Sequence, residues 1–175
     1  MATMVGKQKD IGDLLNALIE LDLDAVEAYD AAIDRIDDLD DKARLGEFRS
    51  DHERHVRELQ PLVVELGEKP AEGPDIKRVL TKGKVVLASL IGDRLILLAM
   101  KTNEDDTNVA YDRAVARDDI PAHIHEVLLR NRDDERRHRA YMEKRLADFD
   151  TVDTERAPTA QAEAPPASQG EASVR

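Results

Sequence analysis

Residues 133–146 read DDERRHRAYMEKRL, and within them Glu135 and His138 stand three apart. On an α-helix that spacing puts both side chains on one face, within reach of a single metal ion. The same pair also arises by chance on a charged, solvated helix, so the fragment alone decides nothing. The stripe it belongs to is more informative. Ile124, Leu128, Asn131, Glu135, His138, Met142 and Leu146 recur at steps of three and four, the period of a helix with one buried face. Pro121, just after Asp118 and Asp119, predicts the start of that helix.

Three further stripes precede it. Ile11, Leu15, Leu18, Asp22, Ala25, Tyr29, Ala32 and Ile36 predict a first helix over about 11–36, followed by the acidic turn DDLDDK. Leu45, Phe48, His52, His55, Leu59, Leu62 and Leu66 predict a second over about 43–66, kinked at Pro61 and ended by Gly67. Leu97, Met100, Glu104, Thr107, Tyr111 and Ala114 predict a third within about 90–116. Short turns join helices one to two and three to four. Residues 67–84, GEKPAEGPDIKRVLTKGK, form a long connection between two and three. This pattern predicts an all-α fold, a four-helix bundle with a long crossover between helices 2 and 3, the ferritin-like connectivity. The domain is expected over residues 10–149, after a flexible stretch 1–9 and before a disordered Ala/Pro/Glu-rich tail over 150–175. Val85–Met100 is apolar on more than one face, which calls for cover from the crossover or from a second copy in a homodimer.

Composition narrows the function. The net charge is −12, with 38 Asp and Glu against 26 Lys and Arg and no concentrated basic stripe, which argues against nucleic acid as a partner. With no cysteine, disulfides and thiolate metal sites are excluded. VVLASLIGDRLILLAM, at 85–100, is too short and too interrupted to span a bilayer, and the N-terminus lacks an apolar signal segment. A cytoplasmic protein without a membrane partner is the expectation.

Each stripe should be apolar, yet each is broken at mid-height: by Asp22, by His52 with His55, by Glu104, and by Glu135 with His138. The breaks repeat between halves of the chain. Asp22 precedes Tyr29, and Glu104 precedes Tyr111, by the same two turns, each Tyr within the string AYD. Burying an unpaired charge costs several kcal/mol. No Lys or Arg lies on the stripes to compensate, whereas one or two divalent cations would. Tyr29 and Tyr111 share the face of the carboxylates and can hydrogen-bond to such ligands.

These features resemble the ferritin-like superfamily of rubrerythrins and bacterioferritins, and more narrowly a stress-associated branch of it. The resemblance rests on LGEKP after helix two, NEDDTNVAY in helix three and DIP before helix four, and covers roughly residues 10–148. It implies a metal centre of Asp22, His52, His55, Glu104, Glu135 and His138. It also implies iron as cofactor, as one ion or a di-iron pair, with manganese or zinc as alternatives, and a role in iron oxidation or peroxide and stress protection. Two positions depart from the superfamily pattern. Asp22 stands where Glu is usual, and His52 stands where a bridging Glu is expected, with Glu53 facing about 100° away. Three carboxylates and three histidines replace four and two, which puts ferroxidase-like or peroxidase-like activity in question and makes a mononuclear site plausible. The alternative is a non-catalytic interaction module whose polar layer is metal-free, since three carboxylates and three imidazolium ions are also neutral.

Overall fold

The computed structural model describes residues 3–73 and 90–156, with side chains described as far as Thr151. These residues form four α-helices and no strand: α1 (Ile11–Ile33), α2 (Leu39–Glu65), α3 (Asp93–Val115) and α4 (Ala122–Arg156). The all-α four-helix bundle follows from the four stripes, because each helix has one face to bury and only the others to bury it against.

Local chemistry sets the helix ends. Asp10 accepts from the backbone N–H of Gly12 and Asp13 and starts α1. Asp38 does the same for α2 through Asp40 and Asp41, so α2 begins inside the stretch expected to be an acidic turn. Acidic side chains there satisfy free backbone N–H groups and face the positive end of the helix dipole. Gly67 closes α2 with φ +81°, a left-handed conformation that glycine adopts at little cost. α4 runs on to Arg156, into the stretch assigned to the tail. The rest of that tail, and residues 74–89 of the crossover, lie outside the described residues.

Contacts across the bundle give its topology. Within the first hairpin Asp22 meets His52 and Asp30 meets Arg49, so α1 and α2 are antiparallel. Within the second, Asp112 meets Arg136 and Asp105 meets Arg139, so α3 and α4 are antiparallel as well. Between hairpins, Tyr29 reaches Glu104 while Tyr111 reaches Asp22, which makes α1 antiparallel to α3. Glu58 meets Arg130 and Asp51 meets His138, which does the same for α2 and α4. The diagonal helices α2 and α3 are therefore parallel. Their link must join opposite ends of the bundle, and its described ends are held there. Near the start of α1, Asn16 accepts from the Ala71 N–H at 2.8 Å. Beside the α1–α2 turn, Asp93 accepts from the N–H groups of Asp37 and Asp38, both at 2.9 Å. A long connection between the second and third helices is what this topology requires.

The core is split in two. One apolar cluster holds Leu14, Leu15, Leu18, Leu59, Val63, Ile124 and Leu128, and a second holds Ala32, Ile36, Leu45, Phe48, Leu97, Met100 and Met142. The polar breaks lie between them. Residues 3–9, expected to be flexible, run against α3, where Arg113 donates to the carbonyls of Thr3 and Val5 and Arg117 to that of Gln8. Toward one end, the fully buried Asp41 accepts from the Tyr141 hydroxyl at 2.5 Å and from two guanidinium nitrogens of Arg145, each at 2.7 Å. Removing one partner of a buried ion pair leaves the other desolvated. Arg145→Ala is therefore expected to lower unfolding free energy by about 3 kcal/mol, and Arg145→Lys to recover only part of it, since an ammonium cannot make the paired contact. Urea unfolding of the two variants checks this.

Candidate metal centre

Asp22, His52, His55, Glu104, Glu135 and His138 are each at most 1% exposed and sit at one level of the bundle. α1 supplies Asp22, α2 the two histidines one turn apart, α3 Glu104, and α4 Glu135 and His138. The helical period alone aims all six inward, because each occupies a stripe position between apolar neighbours. Glu53, adjacent to His52, points outward and pairs with Arg49 at 2.9 Å.

The six form two overlapping sets. In one, Asp22, His52, His55 and Glu135 each offer a ligand atom, all within 4.8 Å of one another. In the other, His52, Glu104, Glu135 and His138 do the same. His52 and Glu135 are common to both. The His52 Nδ1 lies 2.9 Å from Asp22 Oδ1, and its Nε2 lies 3.7 Å from Glu104 Oε1. His55 Nδ1 lies 3.4 Å from Asp22 Oδ1 and 3.3 Å from Glu135 Oε1. Four donor atoms of the centre have no hydrogen-bond partner among the described residues: His52 Nε2, both Glu135 carboxylate oxygens and His138 Nδ1.

The tyrosines bond across the hairpins. The Tyr29 hydroxyl donates to Glu104 at 2.5 Å, and the Tyr111 hydroxyl donates to Asp22 at 2.6 Å. Burial and the facing carboxylate push both phenols well above their ordinary range, so each stays a donor. Burial also pushes Glu104 up, as does the charge of Glu135. Glu135 goes the other way. Burial disfavours its charge, but the imidazole groups of His52, His55 and His138 outweigh that and hold it well below the usual carboxylate range.

A matching sequence-family model, described as a domain of unknown function (DUF2383), covers residues 10–117 of the chain. The chain belongs to the DUF2383 family. No match is found among curated proteins or among solved structures. The family match takes in α1, α2 and α3, and so Asp22, His52, His55 and Glu104 of this DUF2383 chain. Glu135 and His138 lie on α4, beyond it.

Four residues of the surroundings escape a reading of stripes. Asp51 faces His138 Nε2 at 3.1 Å and Asp134 faces His55 Nε2 at 3.4 Å. Arg54 and Arg137 each bond to both of these aspartates. The signal was in the sequence: Asp51–His55 and Asp134–His138 both read D-x-x-R-H. His125 is half-buried and contacts the Val115 carbonyl at 3.0 Å. His123 is exposed and pairs with Glu65.

In the metal-free chain the electrostatics carry a pH signature. Burial opposes the charged form of His52, but the charge of Glu135 and the facing carboxylates of Asp22 and Glu104 prevail and push it up to about 10. Burial likewise opposes His55, and the facing carboxylates of Asp134, Asp22 and Glu135 push it well above its ordinary value. A histidine whose folded pKa is raised stabilises the fold fully below its unfolded value of 6.5, and loses that contribution as pH rises toward about 10. With chelator present, Tm should therefore fall between those limits, and fall less steeply in His52→Gln. Thermal circular dichroism across the range measures both; a flat or rising wild-type Tm contradicts the assignment.

Proposed function

We propose that this DUF2383 chain is a ferritin-like metal-binding protein whose polar layer holds one or two divalent ions. The observation that carries the reading is the four buried donor atoms without hydrogen-bond partners, three of them on His52 and Glu135, which both ligand sets share. Unmade hydrogen bonds at buried polar atoms cost about 1–3 kcal/mol each, more for charged groups. Among the described residues no lysine or arginine pairs with Asp22, Glu104 or Glu135. A cation supplied from outside resolves that deficit.

Imidazole and carboxylate together suit iron, manganese or zinc. The resemblance to rubrerythrins and bacterioferritins favours iron, and with it oxidation of iron or removal of peroxide. Bound iron would supply redox chemistry toward oxygen or peroxide, and bound zinc only Lewis acidity. The chain's own contribution is specific. Tyr29 and Tyr111 hold one oxygen each of Glu104 and Asp22, while the two apolar clusters above and below shield the layer from bulk water.

The second reading, a metal-free layer in an interaction module, is favoured by one observation: His52 already lies 2.9 Å from Asp22, and both His52 and His55 hold their protons strongly. The two readings separate on stoichiometry. Elemental analysis of protein purified without a His-tag should find about one or two Fe, Mn or Zn per chain. Glu135→Ala and His52→Ala remove a residue common to both sets and should abolish uptake, whereas Asp22→Ala leaves one complete set and should only weaken it. A metal-free wild type whose His52→Ala and Glu135→Ala variants take up added metal as it does would sink the proposal. Anaerobic loading with ferrous iron, followed by oxygen, then tests the chemistry.

A further inference from the structure

We propose that the outward face of α3 docks a second copy of this chain, the two α3 helices pairing antiparallel about a two-fold axis. The inference stands apart from the metal-binding reading, because α3 buries Glu104 on one side and presents this face on the other.

Large apolar side chains left in solvent gather on this face. Leu95, Leu98 and Val109 are 42%, 43% and 39% exposed along α3, and Ile91, just ahead of the helix, is 89% exposed. None of the four belongs to either apolar cluster of the core. Thr102 continues the face between Leu98 and Val109, and its hydroxyl is satisfied within the helix by donating to the Leu98 carbonyl at 3.0 Å. The N-terminal stretch adds to it. Asp106 accepts from the Thr3 N–H, and Arg113 donates to the Thr3 and Val5 carbonyls, which leaves Met4 between them 65% exposed beside α3. Ile91 to Val109 spans about 27 Å at the helical rise. An interface that buries about 800 Å² on each partner is roughly 30 Å across, so the face has the length that a stable dimer needs.

Charge selects the occupant. The chain carries −12, which opposes self-association and an anionic membrane alike. The α4 side of this face is nevertheless balanced. Arg94 pairs with Asp150, Lys101 with Asp105, Arg139 with Glu143 and Arg136 with Asp112. An antiparallel two-fold sets this flank against its own copy, neutral against neutral, and each apolar stripe against an identical one. It also places opposite ends of the two helix dipoles side by side. The tail offers no comparable cover, since from Pro158 onward it has no large apolar residue except Val174. The crossover, whose described end at Ala71 is held by Asn16 of α1, is the competing cover.

Sedimentation equilibrium of the full chain without a tag should give twice the chain mass at micromolar concentration. Leu95→Glu combined with Leu98→Glu should raise the dimer dissociation constant at least about 100-fold, the effect of losing central apolar anchors. Helicity and metal uptake should stay as in the wild type. Val64→Glu, at an exposed site off this face, should leave the mass doubled. Because the chain has no cysteine, single substitutions locate the contact independently of the glutamate variants. Mild oxidation should link Leu98→Cys or Thr102→Cys, near the axis, into a covalent dimer, and should leave Val64→Cys unlinked. A dimer that survives the paired glutamates, or linking at Val64 and not on α3, would overturn the inference. So would a monomeric wild type; if the paired glutamates then lower its Tm, the crossover is the cover instead. Each of these outcomes leaves metal binding untouched.

Discussion

Six ionisable side chains occupy one layer of a narrow bundle with no lysine or arginine among them, and the rest of the structure is arranged around that constraint. Charge cannot be left bare between two apolar clusters, because its desolvation costs more than a small domain's stability margin allows. The chain answers partly from within. Tyr29 and Tyr111 donate to Glu104 and Asp22, and His52 lies beside Asp22. It answers partly at the rim, where Asp51 and Asp134 face the outer nitrogens of two histidines. What remains is both oxygens of Glu135, His52 Nε2 and His138 Nδ1, which have no hydrogen-bond partner among the described residues. Three of these four atoms belong to His52 and Glu135, the residues that both ligand sets share.

The arrangement is close to two-fold symmetric. Tyr29 bonds the carboxylate of the second hairpin, and Tyr111 that of the first. Asp51 and Asp134 exchange histidines in the same way. Such exchange ties the hairpins to each other at the polar level, where apolar packing is missing. Asn108 adds to the tie within the second hairpin, since its amide bridges the backbone carbonyls of Glu104 and Glu135. Buried hydrogen bonds of this kind fix helix register more sharply than leucine contacts, which tolerate sliding.

Much of this was legible in the sequence, and for a physical reason. A residue that faces a core must obey the helical period, so Asp22 and Glu104 stood out as charges at positions where Leu18 and Met100 set the expectation. The same logic gave the bundle, because four one-sided helices have few ways to bury their faces. Asp51 and Asp134 were hidden by that filter. They lie one position away from His52 and Glu135, off the stripe, where charge on a helix is ordinary and only the repeat D-x-x-R-H marks them. The start of α2 was hidden for a related reason. Asp38, Asp40 and Asp41 look like a solvated turn by composition, but acids at that point cap a helix, and Asp41 is buried by Arg145 and Tyr141, which are far away in sequence.

The symmetry fails in chemical type at the pair His52 and Glu135, and that failure bears on chemistry. In the two D-x-x-R-H segments the second position is His52 in one and Glu135 in the other. A carboxylate has two oxygens with free lone pairs and can serve two ions at once. A neutral imidazole has one free lone pair, on one side of the ring. His52 faces Asp22 with one nitrogen and Glu104 with the other, so as a neutral ligand it completes one set and faces the other with its N–H. On the metal-binding reading, one position then has four protein donors and its neighbour three. Two carboxylates and two imidazoles make a set that suits zinc or iron, while the three-donor position leaves more of an ion's coordination sphere open to water or oxygen. On that reading, the presence of His52 opposite Glu135 makes the two positions differ in kind.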